Sequence, residues 1–313
     1  MSLGKSCKII LNDCMDIRKN EKCLIVTDKK LLNIGKILYK NLLKITRNSN
    51  LVVIPIPKTH GSEPPKKIAC EMLKYDVILM PTTRSLSHTK ARENASKKGA
   101  RIASMPGTTD DMMKRALNVD FRKIKIINDR LIKKLKDKDK IKIITGKGTN
   151  AEFLIKGRKW VSDDGIYTKK GAFGNLPAGE IFIAPLEGKT NGIIADAMIG
   201  DGKKLEKEIK IKIESGYISH IEGQHLTEIF IKMLKNKFYR NVAELGIGTN
   251  YKAKITGNVL EDEKVAGTCH IAFGNNKHFG GKVDVPFHVD FVIRKPTIYA
   301  GNILIKKEGK LTK

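Results

Sequence analysis

A change of rhythm near residue 139 constrains the fold more than any other feature of the chain. Before it, short apolar runs alternate with segments of helical period. Cys23–Thr27, Leu51–Pro55, Asp76–Met80 and Ala100–Ser104 read as buried strands. Between the first two, Lys29–Ile45 carries Leu31, Ile34, Leu38, Leu42 and Ile45 at helical spacing, with Asp28 placed to cap it. Pro64 and Pro65 suit the first turn of a helix running to about Lys74. Ser87–Lys98 reads as a helix closed by Gly99, Thr108 or Thr109 as the cap of another through Leu117, and Phe121–Lys136 as a third. Strands alternating with helices predict βαβ units around a parallel sheet. No GxGxxG follows the first strand, and Gly146-Lys147-Gly148 lacks P-loop spacing. Neither a dinucleotide site nor a P-loop is therefore expected.

After residue 139, short β-like runs separated by Gly and Asn take over: Ile141–Thr145, Glu152–Ile155, Glu180–Ala184, Gly192–Ala197, Glu208–Glu214, Val242–Leu245 and Ile271–Phe273. One helix, about Gly223–Leu234, interrupts them. The expected organisation is α/β: an N-terminal parallel-sheet βαβ domain over residues 1–138, then a β-rich α+β catalytic domain over residues 139–313.

Composition excludes several classes. No run of 18 apolar residues exists, so no transmembrane helix is expected, and the N-terminus lacks a secretory apolar region. The expected location is the cytoplasm. Five cysteines, widely spread and without a CxxC, indicate neither a disulfide framework nor a thiolate zinc site. The net charge of +27 comes from 49 Lys and 11 Arg against 33 acidic residues, spread along the whole chain rather than clustered. With only 6% aromatic residues to stack bases, nucleic acid is not expected as a partner. The Lys- and Ile-rich composition resembles that of a thermophile or a low-GC genome.

Chemistry concentrates near the C-terminus. In Phe287-His288-Val289-Asp290-Phe291 the apolar residues alternate with an imidazole and a carboxylate, so His288 and Asp290 share one face of a strand. His270, in Gly267–Gly274, lies eighteen residues upstream in similar alternation. Two His and one Asp make a metal set. The same pattern also suits a His–Asp pair on a solvent face with no metal. Cys269 points away from His270 on a strand, into the opposite face. Glu180 and Glu244 each sit inside an apolar run, where an unpaired buried carboxylate is costly. Each either serves a site, lies exposed, or pairs with a lysine. Glu261, Asp262 and Glu263 read as a charged surface turn. His60, His220, His225 and His278 have no partner at useful spacing, and His88 opens a helix.

Several segments together carry a resemblance: Ser87–Arg92, Ala100–Gly107, Asn175–Glu180, Ala243–Gly246, Cys269–Gly274 and His288-Val289-Asp290. Over nearly its whole length the chain resembles the thermophilic metalloaminopeptidase family that includes aminopeptidase T. That resemblance implies a two-metal site of two Glu, two His, one Asp and one Tyr. By motif match Glu180, Glu244, His270, His288 and Asp290 are the implied ligands. The Tyr would fall near Lys277, and neither Lys277 nor His278 is a Tyr. The implied function is a metal-dependent aminopeptidase that removes N-terminal residues from peptides with a metal-activated water. It implies two divalent ions (Zn, Co or Mn), peptide substrates and a homodimer, with no membrane partner. A related branch, the 2,5-dihydroxypyridine dioxygenases, implies the alternative: a non-haem Fe(II) ring-cleaving enzyme with one iron on His270, His288 and Asp290. A catalytically inactive binding protein on the same scaffold would account for the missing Tyr but not for the five retained groups. The aminopeptidase is the leading expectation.

Overall fold

The computed structural model describes residues 3–198, 209–223 and 232–312. The chain forms two compact units: Met1–Lys125 with Asp163–Ala178 and Tyr251–Ala253, and Ile126–Ser162 with Gly179–Asn250 and Lys254–Lys313.

The first unit is built on a five-stranded parallel sheet of β1 (Cys23–Asp28), β2 (Ser49–Ile54), β3 (Val77–Met80), β4 (Arg101–Ser104) and β5 (Phe173–Asn175), ordered β2-β1-β3-β4-β5. β1, β3 and β4 are buried along their whole length, as central strands covered on both faces must be. Along β1, Cys23 and Ile25 enter one hydrophobic cluster while Leu24 and Val26 enter another, the period of two that a strand imposes. The helix after β1, Leu32–Leu42, buries Ile34, Leu38 and Leu42 at spacings of four. Asp28 does not cap that helix. Its carboxylate instead accepts from the backbone N–H of Lys30 and Leu31 and from Thr83, closing the end of the strand. Thr89 and Thr109 do cap, accepting from the N–H groups of Arg92 and Met112 at the starts of Lys90–Lys97 and Asp110–Lys114. His88 is thus exposed and outside the helix it was expected to open. His60 belongs to this unit, where its Nδ1 accepts from the Ser85 N–H.

A thirteen-stranded, largely antiparallel sheet dominates the second unit among the described residues. Its peripheral strands alternate cleanly: Lys140–Ile144, Asn150–Leu154 and Ile209–Glu214 bury every second residue. The expected helix at Gly223–Leu234 falls largely outside the described residues, as do His225 and the first residue of the run at Glu208. Four adjacent strands run β6 (Glu180–Ile183), β7 (Val242–Gly248), β8 (Thr268–Gly274) and β9 (His288–Arg294), each antiparallel to the next. One face of them, through Ile181, Ile183, Leu245, Ile247, Cys269, Ile271, Phe273, Phe291 and Ile293, joins the main hydrophobic core. Unlike the outer strands, β7 and β8 are buried at every position. Something other than water therefore covers their second face. Among the described residues no helix is long and apolar enough to cross a membrane.

Candidate metal centre

That second face carries the chemistry. Register aligns Glu180 with Gly248 and Phe182 with Gly246 across β6 and β7. It aligns Gly246 with His270 and Glu244 with Ala272 across β7 and β8. Asp290 pairs with Ala272 and His288 with Gly274 across β8 and β9. Directly opposed residues point to the same side of a sheet. Each functional side chain thus lies opposite a glycine or alanine, which leaves room for its neighbours to fold inward. A β-bulge between Val242 and Glu244 sends Val242 to the core side with Phe273 and Glu244 to the opposite side with Ala272.

Gly246 shows how tight the arrangement is. A Cβ at this position would overlap Cε1 and Nε2 of His270, whose ring lies across the neighbouring strand. Only glycine lets the imidazole occupy that place.

All five candidate ligands converge. His270 Nε2 lies 3.1 Å from Glu244 Oε1 and 3.4 Å from Glu180 Oε2. His288 Nε2 lies 3.5 Å from Glu244 Oε2 and 3.5 Å from Asp290 Oδ1. Three overlapping sets have ligand atoms mutually within 4.8 Å: Glu180, Glu244 and His270; Glu244, His288 and Asp290; and Glu263, His270 and Asp290. Asp290 belongs to a set with each histidine. A neutral His288 would carry its proton on Nδ1, because this atom lies 2.9 Å from the Asn275 carbonyl and a carbonyl only accepts. Nε2 is left to face the cluster. Glu180 Oε2 is buried with no hydrogen-bond partner among the described residues, as a carboxylate oxygen awaiting a cation would be. Nitrogen and oxygen donors without a thiolate suit Fe(II), Mn(II) or Zn(II).

Electrostatics follow from this crowding. Burial disfavours charge on His270, but Glu180, Glu244 and Glu263 outweigh it and push the imidazole up to about 9. Burial likewise opposes His288, and Asp290 with Glu244 raise it to about 10. The Asp290 carboxyl, despite its burial, is held well below the usual range by His288, His270 and Lys264. Burial pushes Glu263 up to about 8 against the pull of Lys264.

Several participants escaped sequence reasoning. Glu261, Asp262 and Glu263 are buried, not a surface turn. The short helix Val259–Asp262, capped by Asn258, turns them inward. Backbone N–H groups of Lys254, Thr256 and Gly257 satisfy Glu261 and Asp262. Lys264, 1% exposed, lies with Nζ 2.5 Å from Glu180 Oε1 and 2.6 Å from Glu263 Oε1. Buried Asn128 donates to the Glu180 carbonyl at 2.8 Å and accepts from Thr249 Oγ1 at 2.7 Å, fastening β6 to the end of β7. Buried Lys306 donates to the carbonyls of Gly248, Ala266 and Thr268, bracketing the loop that carries Glu263 and Lys264. Burial lowers it to about 8. The only sequence signal for Asn128 is a polar residue on the apolar side of a helix; Lys306 and Lys264 are lost among 49 lysines.

An apolar wall adjoins the cluster. Phe182 meets Phe279 edge to face at 5.4 Å between centroids, and Phe279 meets His288 at 6.2 Å. Lys277, where the aminopeptidase resemblance expects a Tyr, is 58% exposed and pairs with Asp284 at 2.5 Å. His220 also lies on the surface, paired with Glu222.

This two-unit architecture is shared by solved structures. The structure resembles the 2,5-dihydroxypyridine dioxygenase of Pseudomonas putida KT2440 with a TM-score of 0.81, at 17% identity over 99% of this chain and 96% of that one. It also resembles wild-type AmpT from Thermus thermophilus with a TM-score of 0.74, at 15% identity over 99% of both chains. At such identities the likeness is one of fold. A search of curated proteins returns no match. Residues 41–313 match the family model NicX, 2,5-dihydroxypyridine 5,6-dioxygenase, and the chain belongs to that family. The aminopeptidase expectation is thereby corrected: the family is one of dioxygenases, which are oxidoreductases, not hydrolases. The segments that suggested a peptidase lie largely on the scaffold and metal face, which a shared fold preserves whatever reaction is run on it.

Proposed function

We propose that this protein is a non-haem Fe(II) dioxygenase that opens the ring of a dihydroxylated N-heteroaromatic compound of the 2,5-dihydroxypyridine type. The observation that carries the reading is the placement of His270, His288 and Asp290 on adjacent strands, in a chain of this family. Two imidazoles and one carboxylate that leave positions open form the donor set of non-haem Fe(II) oxygenases. His270, His288 and Asp290 would hold the ion, with Glu244 beside both histidines. Bound Fe(II) supplies the redox chemistry by which O2 reacts with an electron-rich ring.

The protein's own groups prepare the site. Asn275 orients His288, and Gly246 admits the His270 ring. Phe182 and Phe279 offer an uncharged surface against which a planar ring can pack.

The test is oxygen uptake by metal-stripped protein reloaded with Fe(II) and given 2,5-dihydroxypyridine. One O2 consumed per ring lost is expected. His270→Ala, His288→Ala and Asp290→Ala should each lose both iron and uptake. Iron-loaded, folded protein that consumes no O2 with this and other dihydroxylated pyridines would overturn the reading.

A further inference from the structure

We propose that Lys264 is a built-in cation that takes the place of a second metal ion and restricts this centre to one. The inference rests on the iron-site reading and specifies its stoichiometry. The cluster holds four carboxylates, Glu180, Glu244, Glu263 and Asp290, around two imidazoles. A set that rich in carboxylates could in principle neutralise and ligate two divalent ions. One end of it is already filled. The Lys264 ammonium sits between Glu180 and Glu263, 2.5 and 2.6 Å from one oxygen of each. Metal–oxygen bonds to carboxylates run only a few tenths of an ångström shorter. The ammonium therefore stands where an ion bridging these two carboxylates would stand.

Two further observations agree. Lys264 is almost wholly buried, so its charge is not dissipated by solvent and repels any second cation at short range. Its backbone is pinned: the Lys264 carbonyl accepts from the Asn250 N–H, and Lys306 braces the loop on either side. A swing out of the site would break those ties. An ammonium accepts no ligand from substrate and polarises no water strongly enough to generate hydroxide, so it gives the electrostatic balance of a second metal without its hydrolytic chemistry.

The experiment counts metal rather than turnover. Full-length protein is stripped with chelator, titrated anaerobically with Co(II), passed through a desalting column and analysed for metal and protein. One ion per chain is expected for the wild type and for Lys264→Arg, and two for Lys264→Met, whose side chain has similar length and no charge. Thermal melts should show a second, Co(II)-dependent rise only in Lys264→Met. A folded Lys264→Met that binds one ion overturns the proposal while leaving the iron-site reading intact. Wild-type protein that binds none overturns both. If Lys264→Met does not fold, the wild type titrated with excess Co(II) still decides: a second bound ion overturns the proposal, and saturation at one supports it.

Discussion

Gly246→Ala is the sharpest probe of how the site is packed. The added methyl would overlap the His270 ring. The ring cannot retreat easily, because it is buried between strands and its Nε2 lies within 3.4 Å of two carboxylates. Either the imidazole rotates or β7 and β8 separate where their ladder joins Gly246 to His270. Overpacking of this kind costs about 1–3 kcal/mol of stability. Misplacing one ligand should weaken metal binding at least as much as losing an outer-shell contact does, about 10- to 100-fold. The control is Gly267→Ala. Gly267 has an ordinary φ and no atom within 4 Å of an added Cβ, so this substitution should change stability by less than about 0.5 kcal/mol. Calorimetric titration of the stripped proteins with Co(II), with melts of each, reads both effects. Gly246→Ala with wild-type affinity and melting temperature would refute the placement of His270 against β7.

Four further outcomes follow from the same geometry. His270 and His288 hold protons up to about 9 and 10 in the metal-free protein, so metal must displace them; Co(II) affinity should rise about 10- to 100-fold per pH unit between pH 6 and 8, and a flat profile would contradict this. Both values lie above the ordinary 6.5, so their contribution to metal-free stability is complete below about pH 6.5 and is lost as pH climbs through about 9 and 10, which denaturation at several pH values would read. Asn128→Ala leaves the Glu180 carbonyl and the Thr249 hydroxyl without their buried partner and should cost about 1–3 kcal/mol in chemical denaturation; a loss below about 0.5 kcal/mol would discount its fastening role. Phe279→Ala should raise the KM for the ring substrate about 2- to 10-fold, the worth of one aromatic contact at about 0.5–1.5 kcal/mol, with iron content unchanged; an unchanged KM would remove Phe279 from the substrate wall.

The legible part of the fold was the part written in periodicity. β1, β3 and β4 read as continuous apolar runs and the helix after β1 repeats at three to four, because a parallel sheet buries whole strands and covers them with amphipathic helices. His288 and Asp290 were legible for the same reason, two residues apart on one strand. What brings Glu180 and Glu244 to them is strand order in a large antiparallel sheet, a long-range property that no local spacing encodes. Glu261, Asp262 and Glu263 were misread because a turn whose carboxylates are satisfied by backbone N–H groups or a buried lysine has the same composition as one satisfied by water. The enzyme class was misassigned because the motifs report the scaffold and the candidate ligands, which two different chemistries can share.

The central claim is that both atoms of O2 enter an aromatic ring at the centre formed by His270, His288 and Asp290. Turnover of 2,5-dihydroxypyridine by Fe(II)-loaded protein under 18O2, with mass spectrometry of the quenched ring-opened product, tests it most directly. Two labelled oxygens in one product molecule, absent with His288→Ala, is the predicted result. A product carrying one label or none, or label that comes from water rather than from O2, would contradict it.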